Sequence, residues 1–392
     1  MGPDNRYPLC ILHIVGSMIG GVGAWVRDVL NYIDRGKYQF DFLVYGNSDY
    51  DYPEAINQKV LSLGSNIIRG ASPDHPYAFV RDFKRILREN GPYDVVHSHP
   101  HHFSGLILKI ARQAGVPQRI AHSHTDFAPY RMKIGWLRRL SRRMMSRWLK
   151  LYATGGLAAS QAAAADLFGP RWRLDWRWRV LYCGVDLAPF QLAVNPVEVR
   201  AELGIPEDAL VIGHVGALWE PKNHKFLVEV MAEVSRREPR TYLLLVGDGP
   251  LRPIITEQVA QSGLTEKVIF AGYRTDVPRL LRGAMDIFLF PSFFEGLGLA
   301  LVEAQAAGLM CVFSDIVPQE ADVVSTLVRR LSLALPASAW AEEILAAREA
   351  RGIISQPQAL AIVEQSPFNI LTSVKELEEY YEPEYSRRSM EL

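Results

Sequence analysis

Short apolar runs alternate with amphipathic stretches along most of the chain, and the alternation happens twice. In the first half LCILHIVG reads as a strand, GVGAWVRDVLNYI as a helix and FDFLVYG as a second strand. YAFVRDFKRILREN follows as a helix, YDVVHSH as a strand, GLILKIARQAG as a helix and RIAHSH as a strand. After LYCGVDLAPFQLAVNP the pattern restarts. LVIGHVG, TYLLLV, VIFAG, DIFLFPS and MCVFSD read as strands, with HKFLVEVMAEVSRR, LRPIITEQVAQSG and LGLALVEAQAAG as the helices among them. Strands alternating with helices imply right-handed crossovers and parallel sheets. The prediction is therefore an α/β chain of two doubly wound, Rossmann-like domains, residues 1–190 and 191–370. They are joined near 187–197, where Pro189 and Pro196 bracket a polar stretch, and residues 371–392 begin as a further helix.

Composition agrees with two domains. A chain of 392 residues is long for one core, and 48% hydrophobic with 22% charged residues is the balance of a soluble globular protein. No apolar run reaches the roughly 18 residues of a membrane span, and MGPDNRYPLCILHIVG has no secretory pattern. Cys10, Cys183 and Cys311 lie far apart in apolar surroundings, which reads as buried free thiols in a reducing compartment. The formal charge of zero hides an asymmetry: residues 1–190 carry 25 Lys+Arg against 15 Asp+Glu, and residues 191–392 carry 18 against 28. Opposite charges suit two domains that face one another, with only the first meeting an anionic surface.

In doubly wound sheets ligands bind at loops beyond the carboxyl ends of strands. GSMIGGVG, HSHPHH, HSHTDF, GALWEPKNH, GDGP, GYRTD and PSFFEGLG all fall there, so an interdomain cleft is expected. Gly20, Gly21 and Gly23 can let backbone approach a phosphate or sugar, or simply make a tight turn. His97, His99, His101, His102, His122 and His124 suit a metal, core packing, or contact with a polar substrate; only Asp126 adds a nearby carboxylate. Lys222 suits a phosphate as a point charge, or solvent. Asp49 and Asp51 form an isolated D-x-D that is set aside.

Residues 131–152, RMKIGWLRRLSRRMMSRWLKLY, hold eight basic residues and no acid. Leu137, Leu140, Met144, Trp148 and Leu151 recur at helical spacing. This reads as an interfacial helix on anionic lipid, with Arg138, Arg139, Arg142 and Arg143 toward the headgroups, or as a helix whose stripe packs inward. RWRLDWRWR adds to the basic and aromatic density. No nucleic-acid recognition module appears. Finally, FPSFFEGLGLALVEAQAAG places Glu295 and Glu303 beside hydrocarbon, which is costly unless salt bridges or a polar ligand satisfy them.

With HVGALWEPKNH, LLLVGDGP, VIFAGYRTDVP and DIFLFPSFFEGLGLALVEAQAAG in order, the second half resembles glycosyltransferase family 4, retaining enzymes of GT-B fold, in its bacterial exopolysaccharide or capsule form. GGVG, RIAHSHT, LAASQAAAADLFG and GVD in the first half agree, so the resemblance spans about residues 10–381. It implies a nucleotide-diphosphate sugar, UDP-sugar in preference to GDP-sugar, on the second domain and the acceptor on the first. Gly296, Leu297 and Gly298 would offer amides to the donor, Glu303 would hold ribose hydroxyls, and Glu295 would grip the sugar. Lys222, a lone ammonium opposite these acids, would stabilise the leaving diphosphate without a metal or other cofactor. The family's arginine five positions before that lysine is Ala217 here. Arg274 would compensate or contact the base. His124 would stand beside the anomeric centre, His99 in the cleft, and Gly21 and Gly23 near the diphosphate. Cys183 replaces a common asparagine, which alters a local turn. The final helix, 371–381, would cross back onto the first domain.

The resulting expectation is a cytoplasmic hexosyl- or N-acetylhexosaminyltransferase, peripheral at the inner face of the cytoplasmic membrane through residues 131–150. Its acceptor would be a glycan, lipid-diphosphate-linked, in surface polysaccharide synthesis. Ala217 favours the alternative of a weak or degenerate nucleotide-sugar-binding or membrane-scaffold protein. The histidines alone would suggest a zinc hydrolase.

Overall fold

A computed structural model describes residues 8–45, 54–124 and 135–382. Asp49, Asp51, Asp126 and residues 131–134 of the basic segment lie outside the described residues. The chain divides into two compact units, one running to Gly184 and resuming at Ile370, the other Val185–Asn369.

In the first unit the order is β1 (Leu9–Val15), α1 (Gly20–Tyr32), β2 (Tyr38–Val44), α2 (Glu54–Ser62), β3 (Asn66–Arg69), α3 (Pro76–Glu89) and β4 (Val95–Ser98). It continues with α4 (Ser104–Gln113), β5 (Gln118–Ser123), α5 (Trp136–Tyr152), β6 (Gly155–Ala158), α6 (Gln161–Phe168) and β7 (Trp178–Val180). The sheet order is β3-β2-β1-β4-β5-β6-β7, with every pairing parallel. Strands covered by helices on both faces read as continuous apolar runs, and all but one residue of β1 is buried. α3 shows the helical period plainly: Phe79, Phe83, Ile86 and Leu87 are its buried residues, and Pro76 occupies the first turn where its missing N–H costs nothing. α4 and α5 pack closely because Gly105 has no side chain; a Cβ there would overlap the backbone carbonyl of Met145.

The second unit runs α7 (Pro196–Glu202), β8 (Leu210–Val215), α8 (His224–Arg237), β9 (Thr241–Val246), α9 (Arg252–Gln261), β10 (Val268–Gly272) and α10 (Val277–Gly283). Then come β11 (Ile287–Phe290), α11 (Leu299–Ala306), β12 (Met310–Ser314), β13 (Val328–Leu331), α12 (Ala337–Glu349) and α13 (Gln356–Glu364). Its parallel sheet is ordered β10-β9-β8-β11-β12-β13. Both sheets therefore reverse direction once, between β1 and β4 and between β8 and β11, and such reversals open a crevice at the strand ends.

The last helix, α14 (Ile370–Tyr381), belongs to the first unit. Trp25 Nε1 of α1 donates to Ser373 Oγ at 3.3 Å, the Asp34 amide donates to Glu378 at 2.9 Å, and Tyr380 Oη donates to the Arg177 carbonyl at 3.2 Å. Tyr381 is fully buried.

Candidate active site

In the second unit the β8–α8 and β11–α11 connections leave the two strands that flank the reversal, and they are stitched together. The Phe293 amide donates to the Pro221 carbonyl at 2.8 Å, and Asn223 Nδ2 donates to the Pro291 carbonyl at 3.1 Å. Asn223 adopts a left-handed φ of 54°, which asparagine tolerates better than most residues, and turns the chain into α8. This stitching brings Lys222 Nζ to 2.6 Å from Glu295 Oε1, with the ammonium 4.6 Å above the Phe290 ring centroid. Lys222 is thus no lone ammonium: its charge is offset by Glu295. The side chains keep 21% and 10% of their exposure, so a ligand can reach a pair that water scarcely screens.

Three glycines serve this arrangement. Gly216 ends β8 beside His214 Nε2 and the Lys222 stem, each just over 3 Å from where a Cβ would sit. A Cβ on Gly247 would overlap the Gly216 carbonyl, and one on Gly249 would lie 2.6 Å from the Leu218 carbonyl. The GDGP loop is therefore glycine-rich because it lies directly on the backbone of the GAL loop. Gly298 caps α11 at φ 88°, in the left-handed region that favours glycine. Buried Gly296 and Leu297 precede it, so the amide-rich, partly positive start of α11 adjoins Glu295. Glu303 lies on α11, half-buried. Arg274 is held by acids: its guanidinium donates to both Asp276 oxygens at 2.7 Å and to Glu202 at 2.9 Å, which offset its charge.

In the first unit the expected residues sort differently. Gly21 has open space where a side chain would be, whereas a Cβ on Gly23 would lie 2.7 Å from the Met18 carbonyl. Gly23 is required by packing; Gly21 leaves backbone open to a ligand. His99 and His124 come together, His99 Nδ1 lying 2.7 Å from His124 Nε2. His99 is only 8% exposed, and its other nitrogen is 3.0 Å from His13 Nδ1. Both of its ring nitrogens thus lie within hydrogen-bonding distance of other imidazoles. Cys183 Sγ lies 3.6 Å from His124 Nδ1, so this cysteine touches an expected site residue rather than merely altering a turn.

Burial holds these imidazoles neutral. His13 is lowered to about 3 by desolvation, with the charge of His124 second. His124 is lowered to about 3 by desolvation and then by His101. His97, His99 and His122 are driven well below the ordinary value, again chiefly by desolvation. Three sets offer ligand atoms within 4.8 Å of one another: His13, His97 and His99; His99, His122 and His124; and His101, His102 and Asp166. In the third set His101 Nε2 lies 3.1 Å from Asp166, which Arg142 also approaches at 3.2 Å. In the first set His13 and His99 nitrogens lie 3.0 Å apart, and in the second His99 and His124 nitrogens lie 2.7 Å apart, already within hydrogen-bonding distance of each other.

His13 and Tyr381 are functional-site neighbours that sequence reading missed. His13 has a signal: it pairs in register with His97 across β1 and β4, on one sheet face. Tyr381 has none, being 284 positions from the His97 it contacts at 2.7 Å.

α5 also departs from its expected stripe. Trp136, Leu140, Met144 and Leu151 are exposed, at 72%, 60%, 42% and 63%. Trp148 instead packs inward under Lys109, and Arg142 turns to Asp166. Side-chain positions at Leu137 and Arg138 lie outside the described residues.

A model of "Glycosyltransferase Family 4" matches residues 19–189, and one of "Glycosyl transferases group 1" matches residues 209–349. EpsF of Bacillus subtilis (strain 168), assigned there to the glycosyltransferases, is 38% identical over 346 residues, covering 87% of this chain and 88% of EpsF. An Escherichia coli UDP-Gal:alpha-D-GlcNAc-diphosphoundecaprenol alpha-1,3-galactosyltransferase is 30% identical over 253 residues, 61% of this chain and 63% of that one. Among solved structures, Anabaena HepE in complex with UDP-glucose superposes with a TM-score of 0.75 at 20% identity, covering 95% of this chain and 99% of that chain. With its two parallel sheets and their flanking helices, the chain belongs to the family 4 glycosyltransferases of GT-B fold.

Proposed function

We propose that this glycosyltransferase is a retaining enzyme that moves a hexose or N-acetylhexosamine from a nucleotide-diphosphate sugar, a UDP-sugar in preference, to a glycan acceptor in surface polysaccharide synthesis. The observation that carries the reading is the Lys222–Glu295 pair at the start of α11, where β8 and β11 diverge. An incoming diphosphate would take Lys222 as its counter-ion and lie on the first amides of α11. Glu295, released, would accept hydrogen bonds from sugar hydroxyls, and Glu303 from the ribose. As the glycosidic bond breaks, charge grows on the departing diphosphate, and a fixed cation with oriented amides stabilises that charge more than the ground state. On this reading the second unit needs no metal. UDP and UDP-glucose bound to HepE, and the UDP-Gal donor of the E. coli relative, support a uridine nucleotide.

Purified protein given a panel of nucleotide sugars and a lipid-diphosphate glycan is expected to release nucleoside diphosphate from one UDP-sugar, at an unchanged rate after chelation. Release that stops with metal removal would favour the imidazole clusters as a resident ion site. No release from any donor would favour the second reading, a weak or degenerate sugar-nucleotide-binding protein. Ala217 supports that one, because it removes a cation and Arg274 is already held by Asp276 and Glu202.

We also propose that α5 lies on anionic lipid at the inner face of the cytoplasmic membrane, where a lipid-linked acceptor would be met. Exposed Trp136, Leu140, Met144 and Leu151 fall within roughly 80° of one another around the helix, by its 100° step. Exposed Arg139, Arg143 and Lys150 line one side of this arc, and exposed Arg147 falls within it. Exposed Leu174 and Trp176 adjoin, since neighbouring Arg177 donates to the Lys150 carbonyl at 2.9 Å. At about 1 kcal/mol per basic residue, changing Arg139, Arg143 and Arg147 to Gln is expected to weaken binding to phosphatidylserine vesicles about 100-fold. Binding indifferent to those changes and to salt rejects the lipid contact.

A further inference from the structure

Seven polar groups inside the first unit join into one unbroken line. From the thiol end, Cys183 Sγ lies 3.6 Å from His124 Nδ1, His124 Nε2 lies 2.7 Å from His99 Nδ1, and His99 Nε2 lies 3.0 Å from His13 Nδ1. Tyr381 Oη then bridges His13 Nε2 at 3.4 Å and His97 Nδ1 at 2.7 Å, and His97 Nε2 lies 3.1 Å from His122 Nδ1. His122 Nε2 closes the line, buried and, among the described residues, without a hydrogen-bond partner. Trp25 leans on the rings of His99, His122 and His124, with centroids 6.3, 5.1 and 5.6 Å away.

The connectivity has a regularity that packing alone does not require. Every imidazole is entered through Nδ1, and every one that passes the line onward leaves through Nε2. A neutral imidazole has one donor nitrogen and one acceptor, and a phenol hydroxyl can donate to one neighbour while accepting from the other. Only two proton arrangements therefore satisfy all six links and also place the Tyr381 proton in the line. In one, all five rings carry the proton on Nε2; in the other, all five carry it on Nδ1. If Tyr381 instead accepts from both His13 and His97, its own O–H is left unbonded in a dry interior. A single ring of opposite sense would set N–H against N–H on one side and lone pair against lone pair on the other. Either mismatch in a dry interior costs on the order of 1–3 kcal/mol for each group left unsatisfied. A protonated ring has no acceptor and breaks the line as well, and burial already opposes that state.

We propose that this line is a tautomer lock, in which Tyr381 of the C-terminal helix and Cys183 are positioning residues that fix the proton pattern and ring orientation of His124. The rings share one sense, and none changes alone. Because His124 follows β5 directly, the lock also fixes the backbone at the end of that strand. The consequence for sugar transfer rests on the proposed function; the shared tautomer does not.

The test uses the full chain with ¹⁵N-labelled histidine, at pH 7.5, read by long-range proton–nitrogen correlation of the ring nitrogens. The expected result is five neutral rings of one common tautomer. Tyr381→Phe, which removes the central hydroxyl, is expected to shift the ring nitrogens of His99 and His124, two and three links away. Should that variant fail to fold, Cys183→Ala at the far end is expected to shift His124, His99 and His13 in decreasing order. Mixed tautomers among the five, or changes confined to the rings touching the altered side chain, overturn the proposal. So does a metal-bound signature at any of these nitrogens. Uniform tautomers in a chain that transfers no sugar would keep the lock and reject the proposed function; mixed tautomers in an active chain would do the reverse.

Discussion

Lys222→Ala is expected to lower sugar transfer by about 10²–10³-fold, the loss typical when one preorganised donor to developing charge is removed. Its partner gives a sharper expectation. In the free protein Glu295 holds the ammonium at 2.6 Å, so a diphosphate must compete with a carboxylate for the same cation. Glu295→Gln removes the competitor and a negative charge close to the phosphates. Nucleoside diphosphate alone is then expected to bind about tenfold more tightly, a difference of about 1.4 kcal/mol at the effective dielectric of a half-buried pair. Transfer nonetheless falls, because the amide cannot answer positive charge at the anomeric carbon. Calorimetric titration with UDP beside a release assay separates the two effects. Weaker nucleotide binding together with normal transfer would show that the pair is a structural salt bridge.

Mild acid is expected to unfold the first unit well before the second. His13, His97, His99, His122 and His124 are neutral in the folded state, and burial keeps each far below the 6.5 of an exposed imidazole. The unfolded chain takes up protons below pH 6.5 that the folded chain refuses. Stability is therefore complete above that pH and is lost as pH falls from 6.5 toward the folded value, about 3 for His13. Each such group costs about 1.4 kcal/mol per pH unit. Five together would consume roughly 7 kcal/mol by pH 5.5, comparable with the whole margin of an ordinary domain. The second unit carries two lowered imidazoles, His214 and His224, the latter at about 4, and should lose less than half as much. Thermal melts between pH 7.5 and 5 are expected to resolve two transitions that separate as pH falls. A midpoint that does not move across that range contradicts the buried, neutral array.

How far the fold could be read from residues alone depended on which forces shaped each element. The apolar strands and the period of α3 were legible because burial imposes them directly. β6 was not: GGLA has almost no strand character of its own. It is extended because β5 and β7 pair with it, and Gly156 is small because the stacked rings of Phe168 and Trp178 occupy the space above it. At the site, Lys222 and Glu295 were named separately, and the loop stitching through Pro221 and Pro291 that joins them leaves no mark in either motif. The histidines were counted as a cluster, yet their connection runs through His13 and Tyr381, which the motifs do not contain. On α5, periodicity found the apolar positions without telling which arc faces α4. Gly105 and Met145 decide that, by bringing the two helices close on one side only.

The two units also differ in how they can be made. Val185–Asn369 is continuous, so it can close as soon as it has left the ribosome. The first unit begins earlier but finishes later, because the helix that covers Trp25 and carries Tyr381 is translated after the whole of its neighbour. Until then its five imidazoles lack their roof and two of the line's six links. Synthesis thus runs in nested order, with the amino-terminal half waiting, incomplete, for the last helix to arrive.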